Sequence, residues 1–255
     1  MGTIEAVGPA SSFLIGLEPR FQVLDAPGLF KDIAHGQRVF ADPEVRARLA
    51  TFGSAKGIEP IAIFAHGLLT LVSHKPIRKV EDFKGQKIRV PGAAPLQIEP
   101  FRKLGASPLS MPLGEVLAAM QNHTIDGMIA GSTVFVAFKY YDVAKGMTIL
   151  PGSFLIAPIV ANKAFLKSLG PELEAIVREE AFKAQRKVEA FGAEDVQRVA
   201  GAWKKNGGEM IELPAAEAKE YTAQVESVLP GLIKANPKLQ EDYEALLAAS
   251  KRLAN

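Results

Sequence analysis

The sequence predicts an α/β fold with mainly parallel strand pairing, and three observations carry that prediction. Short β-branched or apolar runs alternate with helix-period segments along the chain. One long amphipathic pattern runs from Pro171 to about Asn206. Hydrophobic residues make up 48% and charged residues 23% of the 255, a globular balance that supports a sizeable core and argues against a disordered or fibrous chain.

Thr3 to Val7 is a short strand candidate, and Gly8-Pro9-Ala10-Ser11-Ser12 breaks it before the apolar patch Phe13-Leu14-Ile15. After the turn Asp25-Ala26-Pro27-Gly28, the spacing of Phe40, Val45 and Leu49 predicts a helical stretch ended by Gly53 and Gly57. Ile58 to Ala65 reads as a buried strand and Leu68 to Ser73 as another. Lys87-Ile88-Arg89-Val90 alternates polar and apolar residues as a strand does, and stops at Pro91-Gly92. A helix over Ala94 to Leu104, a strand over Ser107 to Ser110, a helix over Gly114 to Met120 and a strand over Thr124 to Ile129 follow. In the long helix Leu173, Ile176, Val177, Ala184, Val188, Phe191, Val199 and Trp203 share a 3.6-residue period. At 1.5 Å per residue it reaches on the order of 50 Å, long enough to touch two lobes. Gly207-Gly208 stops it, Glu209 to Leu213 reads as a strand, and helices over Ala215 to Leu229 and Pro237 to Leu253 close the chain.

Composition excludes several functions. Lys and Arg total 30 against 28 acidic residues, with no basic run, which argues against nucleic acid as a partner. Zero cysteines rule out thiolate metal sites, cysteine nucleophiles and disulfides. The apolar stretches Ile61 to Val72 and Ile149 to Ala161 are interrupted and fall short of the roughly 18 residues a membrane helix needs, so no stable membrane insertion is expected. Phosphate-cradling GxxxxGK[ST] and GxGxxG loops, HExxH and GxSxG are all absent, and neither a cofactor, a metal nor a catalytic residue is expected. The four histidines, His35, His66, His74 and His123, read as surface or loop residues. Glu115 opens a helix and Asp126 sits in a turn before Gly127, so they read as structural carboxylates.

Arg89 is the one side chain that invites a binding role, because a guanidinium presents a rigid fork of donors that matches a carboxylate. The strand ends at Pro91-Gly92, and strand ends are where α/β sheets hold ligands. Spacing alone favours a solvated face for Arg89, with Ile88 and Val90 inward.

The segment Asp82-Phe83-Lys84-Gly85-Gln86-Lys87-Ile88-Arg89-Val90-Pro91-Gly92, followed by Leu104-Gly105-Ala106-Ser107-Pro108 and Met111-Pro112-Leu113-Gly114-Glu115-Val116, resembles the substrate-binding subunits of TRAP transporters, the DctP-type family. Gln121 to Gly127, Lys139-Tyr140-Tyr141-Asp142-Val143 and Phe165-Leu166-Lys167-Ser168-Leu169 continue the match in the same order. The resemblance implies a two-lobed, type II periplasmic-binding-protein-like fold with a long bridging helix. It also implies a receptor that closes on a small organic acid and delivers it to TRAP membrane subunits, without chemistry. A ligand-sensing subunit for a membrane receptor kinase is the alternative use of the same fold. Lobe I is expected over 1–66 and 156–195, and lobe II over 67–155 and 196–255.

In this family the arginine of the KIRVP-like motif pairs with the ligand carboxylate, and Arg89 falls on it. Sialic-acid-binding members have a second arginine where this chain has Leu69, an asparagine where it has Ala130 and a glutamate where it has Ala10. Met128 and Ile129 replace polar residues after the Asp-Gly turn. Buried polar groups left without partners cost roughly 1–3 kcal/mol each, so these replacements point away from a ligand covered in hydroxyls. The expected ligand is a small monocarboxylate with an apolar or aromatic body, held by Arg89 and bordered by Phe13, Leu69, Met128, Ala130, Phe135 and Phe154. Family members carry a signal peptide and a first β-α-β segment ahead of the position matched by Gly2-Thr3-Ile4-Glu5, and without those strands lobe I is expected to have open sheet edges. Taken alone, the N-terminus shows no secretory signal and would stay in the cytoplasm, whereas the resemblance implies the periplasm.

Overall fold

The computed structural model describes residues 4–254, apart from the side chains of His66, Glu189, Ala190 and Ala193. Seven strands form one sheet: β1 Ala6–Val7, β2 Ile58–Ser73, β3 Lys87–Val90, β4 Ser107–Ser110, β5 Gly127–Gly131, β6 Gly146–Asn162 and β7 Glu209–Ile211. The order is β1-β6-β2-β5-β3-β4, with β7 also on β6. Thr3, the first residue of the expected opening strand, lies outside the described residues.

The pairing corrects the expectation of a mainly parallel sheet. β3 is parallel to β4 and β5, and β7 to β6, but the two longest strands, β2 and β6, pair antiparallel, as do β2 with β5 and β1 with β6. Helical crossovers enforce parallel pairing only where they return the chain to the same end of the sheet, as they do around β3. β2 and β6 instead run the length of the molecule, 16 and 17 residues, or on the order of 50 Å at about 3.3 Å per residue. The strands expected over 58–65 and 68–73 are one strand. Its register shifts at Pro60/Ala62, Ala65/Gly67 and Leu68/Thr70 bend the ribbon without ending it.

The helices are α1 Ile33–Ala41, α2 Pro43–Leu49, α3 Pro95–Lys103, α4 Leu113–Gln121, α5 Ser132–Ala137, α6 Lys163–Ser168, α7 Gly170–Lys205, α8 Ala215–Glu226, α9 Leu229–Lys234 and α10 Pro237–Arg252. The helical stretch expected around Phe40, Val45 and Leu49 is two helices. Asp42 takes an extended conformation and accepts hydrogen bonds from the Glu44 and Val45 N–H groups, which caps α2 and puts Pro43 at its first turn. α7 packs on β2, α1, α5, α6 and β7. Trp203 near its end is fully buried and donates Nε1–H to the Lys145 carbonyl at 3.0 Å. Gly208 makes room for that indole, since a Cβ there would stand 2.3 Å from Nε1. The apolar period of α7 overstates its buried face: Val199 and Trp203 are buried, whereas Leu173, Ile176 and Phe191 are about half exposed, at 53%, 49% and 56%. Periodicity marks a face, and tertiary packing decides how much of it is covered.

Three hydrophobic clusters hold these elements. The first joins residues of 14–65 to Leu96, Ile156, Val160 and the C-terminal Leu229, Ile233, Leu239, Leu246 and Ala249. The second gathers Leu71, Phe83, Ile88, Val90, Phe101, Ile129, Leu150, Tyr221 and Val225. The third surrounds Val116, Met120, Met128, Phe135, Tyr140, Met147 and Trp203. Within the segment 196–255, residues of 203–225 pack with the second and third clusters and those of 229–249 with the first.

Candidate functional site

β3 lies between β5 and β4, and the second cluster covers it, so both faces of the strand are out of solvent. That overrides the alternation in Lys87-Ile88-Arg89-Val90. Arg89 is buried at 1% exposure together with Ile88 and Val90, and is not on a solvated face. Its Nε donates to the Met111 carbonyl at 3.0 Å and its Nη1 to the Ile129 carbonyl at 3.3 Å, while Nη2 has no partner among the described residues. Burial pulls its proton affinity down and Tyr140 opposes this, yet a guanidinium stays charged at neutral pH. No carboxylate among the described residues pairs with it.

Arg89 borders a cavity of about 260 Å³ where the ends of β3 and β5 meet the middle of β2 and β6. Such a volume lies below the roughly 300–1,000 Å³ of pockets for drug-sized ligands and suits a small solute. Phe13, Leu69, Ala130 and Phe154 share the wall with it, so five of the expected site residues come together. Met128 and Phe135 do not. Both are fully buried in the third cluster, where Phe135 packs edge-on to Tyr140 at 5.5 Å. Side chains alternate along β5, so Ile129 packs in the second cluster and the preceding Met128 in the third. On α5, Val134 reaches the wall and Phe135 packs inward.

The wall opposite in sequence, built by residues 11–27 and the start of α3, carries polar groups that sequence reasoning missed. Asp25 is partly buried; its Oδ1 accepts the Ser11 hydroxyl in a short hydrogen bond and its Oδ2 accepts Gln97 Nε2–H at 3.1 Å. Desolvation pushes the Asp25 carboxyl up to about 6 against those two hydrogen bonds, which lower it. Gln97 is 7% exposed and its Oε1 is unpartnered, lying so close to Gly92 that a Cβ there would be 2.2 Å away. The tetrapeptide Asp25-Ala26-Pro27-Gly28 signals a turn, and nothing in it distinguishes a surface turn from one folded against a cavity. Tyr221 and Val225 of α8 complete the wall, and burial raises the Tyr221 phenol against a hydrogen bond with Ser153.

The histidines divide unexpectedly. His35 is a core residue, accepting the Lys31 N–H at Nδ1 (3.0 Å) and donating Nε2–H to the Ser250 carbonyl (2.9 Å), not a surface one. His74 is half-buried and packs against the exposed His123, with ring centroids 4.4 Å apart and the planes tilted by 40°. Among the described residues no group of three or more His, Asp or Glu is placed to hold a metal ion, and no helix is long and apolar enough to cross a membrane.

A mixed α/β sheet with two long paired strands and a cavity beside their middle is the two-lobed, type II architecture of solute-binding proteins. A structure of a TRAP periplasmic solute-binding protein from Desulfovibrio salexigens with bound orotic acid superimposes with a TM-score of 0.89 at 27% identity, covering 98% of this chain and 81% of that one. One from Shewanella oneidensis with bound succinate gives 0.84 at 25% identity, covering 97% and 80%. The family model for DctP, bacterial extracellular solute-binding protein family 7, matches residues 1–235, and the chain belongs to that family. The 2,3-diketo-L-gulonate-binding periplasmic protein YiaO of Escherichia coli (strain K12) is 30% identical over 211 residues. That alignment covers 82% of this chain and 64% of the relative's length.

Proposed function

We propose that this chain is the periplasmic receptor of a TRAP transporter, capturing a small organic acid and handing it to membrane permease subunits without chemical change. The observation that carries the proposal is Arg89, a buried cation on a cavity wall whose partners among the described residues are two carbonyls, with Nη2 left unpartnered by them. A charge removed from water needs a counter-charge, and a ligand carboxylate supplies one together with the missing acceptor. Family membership and the names of relatives that bind diketogulonate, orotic acid and succinate support the same reading.

The ligand body is apolar, in contact with Phe13, Leu69, Ala130 and Phe154. Lobe I comprises 1–66 and 156–195 joined by the C-terminal helices from Leu229 onward, and lobe II comprises 67–155 and the remainder of 196–255. Closure is a hinge motion about β2 and β6, for which the register shifts at Ala65/Gly67 and Leu68/Thr70 are the natural pivots. The test is a thermal melt of the purified chain against a panel of organic acids, repeated with Arg89→Ala. Particular acids raise Tm in the parent and lose that effect in the variant. Equal shifts in both proteins would remove Arg89 from the site.

A further inference from the structure

Arg89 is not the only uncompensated charge in this cavity. Asp25 on the other wall has two neutral partners, Ser11 and Gln97, and no cation among the described residues pairs with it. Basic groups packed near its segment are engaged elsewhere or exposed. Arg20 and Arg48 hold Asp242, Arg102 holds Glu99, Arg252 holds Asp42 and Glu44, and Lys103, Lys238 and Lys251 are exposed. The 3-10 turn Ser11–Leu14 and strand β6 contain no charged residue. Glu226, whose carboxylate lies against Gly28, adds a second negative group to this side. Gln97 Oε1, buried and unpartnered, offers a further acceptor beside Asp25.

Resting on the receptor reading above, we infer that the cavity takes a dipolar ligand: a carboxylate on Arg89, an apolar body, and a cationic, hydrogen-bond-donating nitrogen on Asp25 and Gln97 Oε1. A neutral hydroxyl would satisfy a hydrogen bond there but leave the carboxylate uncompensated. A second ligand carboxylate would face it with a like charge. Arg89 stands on β3 and Asp25 on the wall built by residues 11–27, so a ligand that meets both carries its two charges at opposite ends of its body.

Calorimetry on the full chain at pH 7.5 tests this with matched probes of equal length. The probes are 4-aminobutanoate, pentanoate and glutarate; 5-aminopentanoate, hexanoate and adipate; and 6-aminohexanoate, heptanoate and pimelate. At least one amino acid is expected to bind ten-fold or more tighter than both of its partners. Asp25→Asn reduces that preference to near unity by weakening the amino acid, and Arg89→Ala weakens all three classes. If Asp25→Asn fails to fold, the parent comparison decides alone. Alkanoates or dicarboxylates that bind as tightly as the amino acids, with Arg89 still required, overturn the dipolar inference and leave the receptor standing. Binding that ignores Arg89, or no binding by any probe, overturns both.

Discussion

Asp242 and Asp25 are carboxylates drawn into the same half of the molecule, and they differ in what meets them there. Asp242, 1% exposed, receives Arg20 through Nε at 2.6 Å and Nη2 at 2.9 Å, and Arg48 at 3.0 Å. The pairing holds the Arg20 guanidinium above its ordinary value, chiefly through the hydrogen bond to Asp242. Asp25 receives a serine and a glutamine. The same contrast separates Arg20, which has its carboxylate, from Arg89, which has two carbonyls and an idle Nη2. A closed ion cluster serves the fold, while the charges left open on the cavity wall are those the proposed ligand would meet.

Breaking each side of this contrast gives different readouts. Arg89→Ala should weaken organic-acid binding by about 2–5 kcal/mol in calorimetry, because it removes one partner of a desolvated pair. Its effect on the empty protein's unfolding should be much smaller, and a large loss of stability without loss of binding would contradict the assignment. Asp242→Asn should do the reverse. It leaves Arg20 and Arg48 facing one another without an anion and should lower unfolding free energy by about 3 kcal/mol in urea, with ligand affinity unchanged.

Asp25→Asn is the sharpest probe, because its sign depends on pH. The folded protein holds the Asp25 proton more tightly than the unfolded chain, with values of about 6 and 3.8. Its contribution is therefore fully present below pH 3.8 and is lost as pH rises through about 6. Asparagine does not ionise, and a rotated Gln97 amide can offer Oε1 to it. The variant should match the empty parent near pH 4 and exceed its unfolding free energy by about 2 kcal/mol at pH 7.5. A difference that does not change with pH would mean that Asp25 is not desolvated. The smallest effect belongs to the peripheral pair of Arg178 with Glu59, at 2.6 Å but with Arg178 36% exposed. Glu59→Gln should change stability by roughly 0.5–1 kcal/mol, and less in high salt.

The polar site was half legible. Arg89 stands in a recognisable motif, and its guanidinium chemistry suggested a carboxylate before any geometry was known. Phe13, Leu69, Ala130 and Phe154 line the same cavity as Arg89, whereas Met128 and Phe135, which the resemblance led us to expect beside the ligand, turn into the third cluster. In the sequence Asp25 is only the first residue of a turn, and nothing marks Gln97 within its helix. Their importance comes from a contact spanning 72 residues of chain.

By itself, the sequence determined the alternation of strands and helices, the long helix to Lys205 and the family to which the chain belongs. Those features rest on local periodicity, capping and motifs, which are written in neighbouring residues. Tertiary structure alone decided that β2 and β6 pair antiparallel over most of their length, that residues 229–249 pack with 14–65, and that the cavity carries an open charge of each sign. The reason is physical: whether a charge is compensated depends on which distant groups share its desolvated space, and local pattern carries no record of that.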